Sequence, residues 1–162
     1  MIKAIIVENE TEAANALIKL IQKHCPEVQL IGAFATVADA FVALSDHSPH
    51  LVFLDIELNE ESGFDLLEKI ASPNFDVVFT TAYSDYALRA IKYSCLDYLL
   101  KPIAIDELKA VVQKENKKQN QNDFRAQLTN LIQTLKNPGQ EPKLCIPSSE
   151  GFVVLYKSEI VM

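Results

Sequence analysis

Five short apolar runs alternate with five stretches of helical periodicity, and that strict alternation restricts the fold to a parallel α/β sheet with helices on both faces and right-handed crossovers. The first run, Ile2–Val7, is largely β-branched and reads as a buried strand; beyond Glu10 the apolar positions Ala13, Ala14, Leu17, Ile18 and Ile21 recur at helical spacing until Pro26. Val28–Phe34 is the second strand, and Thr36 caps a helix expected to turn Ala40, Phe41 and Leu44 inward. Residues 51–54 form a third strand apolar on both faces. Gly63 then sits in a loop before a helix carrying Phe64, Leu66, Leu67 and Ile70 that ends near Pro73. Residues 75–80 are the fourth strand, and Tyr83, Ala87, Leu88 and Ile91 are expected to line a fourth helix. Residues 96–100 make the fifth strand, and a last helix starts near Asp106 with Leu108, Val111 and Val112 facing in.

The chemistry gathers where strands end. HLVFLD, residues 50–55, closes an apolar run with a carboxylate, so Asp55 emerges at a carboxyl end, where open sheets hold their ligands. In a flavodoxin-like, doubly wound (βα)5 sheet of strand order 2-1-3-4-5, the first and third strands are neighbours, and Glu8 and Asn9 face Asp55. Such clustered oxygen donors suit Mg²⁺. The fourth strand supplies a hydroxyl through Thr80-Thr81, and the fifth supplies the ammonium of Lys101. Taken singly, Asp55 reads as a turn cap, Thr81 as a strand-end hydroxyl, Tyr98 as a half-buried ring and Lys101 as a solvated strand end. Together, a nucleophile, a cation site, a hydroxyl donor and a lysine are the parts that phosphoryl transfer to a carboxylate requires.

Composition removes several rivals. The turn after the first strand is VENETE and the chain has four glycines, so no Gly-rich loop cradles a dinucleotide or a flavin phosphate. Residues 1–122 carry 11 Lys and Arg against 18 Asp and Glu, a net −7 that repels a nucleic-acid backbone. Cys25, Cys95 and Cys145 are odd in number and in no CxxC pair, so they are expected as reduced thiols; His24, His47 and His50 lack metal-ligand spacing. There is neither an 18-residue apolar run nor a signal peptide, and a cytoplasmic protein without membrane contact is expected.

Beyond Lys114 the composition turns polar (KENKKQNQN), the expected edge of the domain. Phe124, Leu128, Leu131 and Leu135 then follow a 4-3-4 spacing, compatible with a linker helix lying on its own domain or with a dimer-forming seam, and Asn137-Pro138-Gly139 ends it. The last twenty residues read as two short strands around residues 148–151 with a third beginning, a pattern expected of a chain cut inside a second domain.

VENE, FLDIEL with Gly63 eight residues past Asp55, FTTAY and DYLLKP stand in an order that resembles a response-regulator receiver domain, the phosphorylatable half of a two-component system. The closing KLCIPSSEGFVVLYKSEIV resembles the opening of a LytTR-type DNA-binding domain. The resemblance implies a receiver at 1–122, a helical linker at 123–138 and an output-domain fragment at 139–162. It implies that Asp55 accepts a phosphoryl group from a sensor histidine kinase, with Mg²⁺ held by Glu8, Asn9, Asp55 and the backbone carbonyl of Glu57. Thr81 and Lys101 would hold the phosphoryl oxygens, Tyr98 would be the rotating ring of the switch, and Lys101-Pro102 would be a cis peptide. Activation would favour a homodimer, DNA would be touched only through a C-terminal domain these residues do not complete, and the catalysis would be limited to the chain's own phosphorylation and dephosphorylation.

Two positions depart from the family pattern. Asn9 stands where a second acidic residue is usual, removing a charge where opposite unit charges at ~4 Å attract by about 4 kcal/mol at an effective dielectric of ~20. Asn59 stands where a proline is common, and a looser loop is expected. The rivals are therefore a degenerate receiver acting as a phosphorylation-independent interaction module and an aspartyl-phosphate phosphatase of haloacid-dehalogenase type. The latter resembles a pattern with its nucleophile after the first strand, whereas here the candidate follows the third.

Overall fold

The computed structural model describes residues 1–136 and the strand backbones of residues 143–148 and 151–156. In chain order the elements are β1 (Ile2–Val7), α1 (Thr11–His24), β2 (Val28–Phe34), α2 (Val37–His47) and β3 (Leu51–Asp55). There follow β4 (Glu57–Leu58), β5 (Glu61–Ser62), α3 (Gly63–Glu68), β6 (Asp76–Thr81), α4 (Ala87–Ile91), β7 (Asp97–Leu100), α5 (Ile105–Lys136), β8 (Lys143–Ser148) and β9 (Gly151–Tyr156). They fall into two compact units, Met1–Asn116 and Lys117–Met162. The first holds a parallel five-stranded sheet of order β2-β1-β3-β6-β7. With the tiny antiparallel hairpin β4–β5 set aside, this is the expected order 2-1-3-4-5.

Period-2 alternation divides the central strands between two apolar layers. Val52 and Leu54 of β3 join Ile5, Val7, Val77 and Phe79 in one cluster, closed by Val37, Ala40 and Leu44 of α2 and by Phe64 and Leu66 of α3. Leu51 and Phe53 point the other way, with Ala4, Ile6, Val78 and Leu99, onto Leu17 and Ile21 of α1 and Leu108, Val111 and Val112 of α5. Every residue of β3 is buried, which explains its unbroken apolar run. The starts of α2 and α3 are fixed locally. Thr36 Oγ1 accepts from Asp39 N at 3.1 Å, and Ser62 and Asp65 form a reciprocal capping box at 3.3 and 2.8 Å.

Several expectations are corrected. Phe41 is exposed, leaving Ala40 and Leu44 on the buried face of α2. Helix α4 is only five residues long and turns Ala90 inward; Leu88 and Ile91 are 80% and 67% exposed, and Tyr83 lies exposed before the helix. The small Ala90 suffices because Tyr86 and Tyr93, flanking it, bring their rings to 6.3 and 5.1 Å from that of Phe64. Helix α3 stops at Glu68, short of Ile70, and β6 takes in Thr81. The polar stretch 114–122 does not interrupt α5, which runs through it and on to Lys136 within the expected linker. On its later turns Phe124, Leu128 and Leu135 are exposed and Leu131 is half-buried. The Asn137-Pro138-Gly139 stop, the side chain of Cys145 and the third strand expected after Tyr156 lie outside the described residues. Cys25 and Cys95 are free thiols, and no helix among the described residues is long and apolar enough to cross a membrane.

A tight hairpin turn stands in the loop after β3 where the proline is missing. Asn59 adopts φ 57°, a left-handed conformation open to asparagine and closed to the proline ring, and it turns β4 back on β5. Gly63 then donates to Ile56 O at 2.8 Å, and a Cβ on it would stand 2.4 Å from the carbonyl oxygen of Asp55 and 2.9 Å from the Leu54 side chain. Gly63→Ala is therefore expected to lower stability by about 1–3 kcal/mol, read as a reduced midpoint in urea. A variant as stable as the parent would show that the strand end yields at this contact.

Candidate functional site

The register of β1 against β3 pairs Val7 with Leu54, so Glu8 and Asp55 each follow by one residue at adjoining strand ends. Both carboxylates are buried, Glu8 at 6% and Asp55 at 5% exposure. Glu8 is fixed by its own N–H to Phe34 O (2.9 Å) and by Glu10 N donating to its Oε1 (3.0 Å). Asp55 Oδ1 accepts from Glu57 N at 3.3 Å. Lys101, at the end of the edge strand β7, donates its backbone N–H to Thr81 O at 2.8 Å and extends its side chain across the sheet. Its Nζ donates to Glu8 Oε2 and lies 3.1 Å from Asp55 Oδ2, one ammonium between two carboxylates. The Lys101-Pro102 peptide is cis.

Asp55, Asn9, Glu57, Thr81, Tyr83 and Lys101 line a cleft of about 270 Å³. Thr81 is fully buried, and its Oγ1 accepts from Tyr83 N at 3.3 Å. Two sequence candidates stand outside the cleft wall. Glu8 faces a neighbouring, more apolar hollow between α1 and the Lys101-Pro102 turn. Tyr98 is half-buried, with its ring 6.5 Å from that of Phe79 and its hydroxyl donating to the Tyr83 carbonyl.

The side-chain amide of Asn9 lies 2.9 Å from the Asn59 side chain. In the orientation that satisfies its donors it also reaches Glu57 O at 3.1 Å and Glu8 Oε1 at 3.3 Å. Among the described residues no three His, Cys, Asp or Glu side chains gather as a metal-binding group. What converges is two carboxylates and a backbone carbonyl, oxygen donors of a kind that suits Mg²⁺, with the Asn9 amide beside them able to add its own oxygen on turning over. One residue here escaped sequence reasoning: Tyr86, whose hydroxyl donates to Glu57 Oε1 at 3.1 Å. Nothing in its spacing marks it, because the bond joins the β4–β5 hairpin to the start of α4, 29 residues apart.

Residues 4–113 match the family model described as response regulator receiver domain. The chain is similar to the sensory transduction protein LytT of Bacillus anthracis, 34% identical over 99% of this chain and 65% of the relative. Its likeness to LytT of Enterococcus faecalis is 39% identity over 72% of this chain and 49% of that protein. The chain thus spans about 65% or less of the length of these relatives. Among solved structures, the response regulatory domain of protein mrkE from Klebsiella pneumoniae superposes with a TM-score of 0.67 at 30% identity, covering 74% of this chain and 98% of that one.

Charge at the strand ends is unbalanced. Burial first, and the Glu8 carboxylate second, push Asp55 up to about 6, with Lys101 acting in the opposite direction. Burial alone would lower Lys101, but Glu8 and Asp55 outweigh it and hold the ammonium above its ordinary value. A carboxyl group raised on folding binds more protons in the native than in the unfolded chain, so its contribution to stability falls as pH rises from about 4 to about 6. Without added metal, Asp55→Asn should therefore match the parent below pH ~4 and exceed it by up to about 3 kcal/mol at pH 7. Urea titrations across that range check this; a difference that does not change with pH would refute the assigned origin of the shift.

Proposed function

The chain belongs to the response regulator receiver family, and from that membership we propose that Asp55 is its phosphoacceptor, charged by a sensor histidine kinase with Mg²⁺ and read out by a LytTR-type transcriptional domain. The observation that carries this reading is the ammonium of Lys101 held between two buried carboxylates beside a cleft that Thr81 also lines. An oxygen of Asp55 attacks the phosphorus of the kinase phosphohistidine; the P–N bond breaks, its electron pair stays on the imidazole nitrogen, and that nitrogen takes up a proton. The product is an acyl phosphate on Asp55.

Glu8, Asn9, Asp55 and the Glu57 carbonyl would hold Mg²⁺, which when bound supplies positive charge against the phosphoryl oxygens. Lys101, already directed at Asp55 Oδ2, pairs with one phosphoryl oxygen, and the Thr81 hydroxyl donates to another. Phosphorylation raises the local charge from about −1 toward −2 and draws both groups onto it. Thr81 and Tyr98 share a neighbour, since the N–H of Tyr83 binds the Thr81 hydroxyl and its carbonyl binds the Tyr98 hydroxyl. A shift of Thr81 therefore reaches Tyr98 through one residue. The surface that responds is that of α4, β7 and the start of α5, where Leu88, Ile91, Leu100 and Ile105 are exposed; on activation it forms a homodimer. The chain catalyses only its own phosphorylation and dephosphorylation, in the cytoplasm, and DNA is contacted only by the output domain, whose first strands fall in 139–162 after the linker at 123–138.

A second reading is favoured by Asn9, whose amide gives N–H bonds to the acceptors a cation would use. In that reading the receiver is a phosphorylation-independent interaction module. Acetyl phosphate with saturating Mg²⁺ separates the two: the parent is expected to gain one phosphoryl group, followed by mass, and Asp55→Ala none. Asn9→Asp should bind Mg²⁺ roughly 10-fold more tightly, equivalent to ~1.4 kcal/mol of added attraction. If only Asn9→Asp is modified, the natural chain works without phosphorylation.

A further inference from the structure

We infer that Tyr86 is a positioning residue of the phosphoryl-accepting site, whose hydroxyl fixes where the Glu57 carboxylate stands at the mouth of the cleft. Glu57 is held at three points. Its N–H donates to Asp55 Oδ1 at 3.3 Å, its carbonyl meets the Asn9 amide at 3.1 Å, and its Oε1 accepts from the Tyr86 hydroxyl at 3.1 Å. The main chain of Glu57 is also paired with Ser62 in the β4–β5 hairpin, so its backbone does not depend on the tyrosine. What the hydroxyl governs is the side chain.

Tyr86 is well placed for this role. Its ring rests against Phe64, centroids 6.3 Å apart, and meets Tyr83 edge-on at 6.4 Å, so the hydroxyl is aimed before it binds. Glu57 is exposed and lines the cleft, two residues beyond Asp55. The region already has two buried carboxylates against one ammonium. A phosphoryl donor arrives as an anion, and a third carboxylate free to turn over Asp55 would oppose it. Bonded to Tyr86, that charge stays on the α4 side of the opening.

The inference rests on Asp55 being phosphorylated, and the test separates the two statements. Rates of modification by acetyl phosphate at saturating Mg²⁺ would be compared for the parent, Tyr86→Phe, Glu57→Gln and the double variant, at low and high salt. Tyr86→Phe keeps the ring and its packing, so the thermal midpoint should hold. Its rate should fall about 2- to 5-fold at low salt, the loss shrinking as salt screens the charge. Glu57→Gln should be at least as fast as the parent, and adding Tyr86→Phe to it should change nothing, because no charge is left to misplace. An unmodified parent overturns the phosphoacceptor reading and this inference with it. A modified parent with Tyr86→Phe at the same rate overturns the inference alone, as does an equal loss in the Glu57→Gln background, which would assign the hydroxyl to loop order instead.

Discussion

A lysine ammonium between two buried carboxylates is the interaction the first unit is arranged to permit. Glu8 and Asp55 are adjacent because β1 and β3 pair directly, while Lys101 comes from 93 and 46 residues further along the chain. With β6 between β3 and β7, the lysine has to reach past the end of one strand, which a four-carbon stem does and a shorter side chain would not. Lys101 is the member the others depend on: without the ammonium two buried carboxylates would face each other uncompensated, a heavier penalty than the net worth of either pair. The sheet order, the register of β1 on β3 and the backbone bond from Lys101 to Thr81 are all needed to keep the three charges together.

The compensation is incomplete, and that is functionally informative. Burial first, and then the second carboxylate that one ammonium does not fully offset, hold Asp55 above its ordinary value. Such a site is poised to accept positive charge and to lose negative charge. The same imbalance explains why anionic side chains around the cleft have to be held in known places, Glu8 by Glu10 N and Lys101, and Glu57 by Tyr86.

Long-period patterns in the sequence carried the sheet and most of the site. Central strands buried on both faces leave unmistakable apolar runs, and Leu108, Val111 and Val112 sit at the bottom of the core as their spacing requires. Once the strand order is known, the ends of four strands bring Glu8, Asp55, Thr81 and Lys101 together with no further information. What escaped were features shorter than a period. A five-residue helix has little more than one turn, so Leu88 and Ile91 matched an inward face that belongs to Ala90. Two-residue strands such as β4 and β5 leave no alternation to detect, and the Tyr86–Glu57 bond joins segments whose approach is decided by packing on Phe64.

Asn9 and Asn59, the two departures from the family pattern, are one structural device. Their amides meet at 2.9 Å, tying the turn after β1 to the hairpin after β3, while Asn9 also binds the Glu57 carbonyl and the Glu8 carboxylate. Asn59 can take part because its left-handed backbone turns the hairpin tightly, a conformation proline is barred from. An aspartate at position 9 would have only acceptors to offer to the Glu57 carbonyl and the Glu8 carboxylate, where the asparagine offers N–H groups. The neutral amide joins them from within. The hairpin after β3 is therefore tied to the turn after β1 by direct contacts between protein groups.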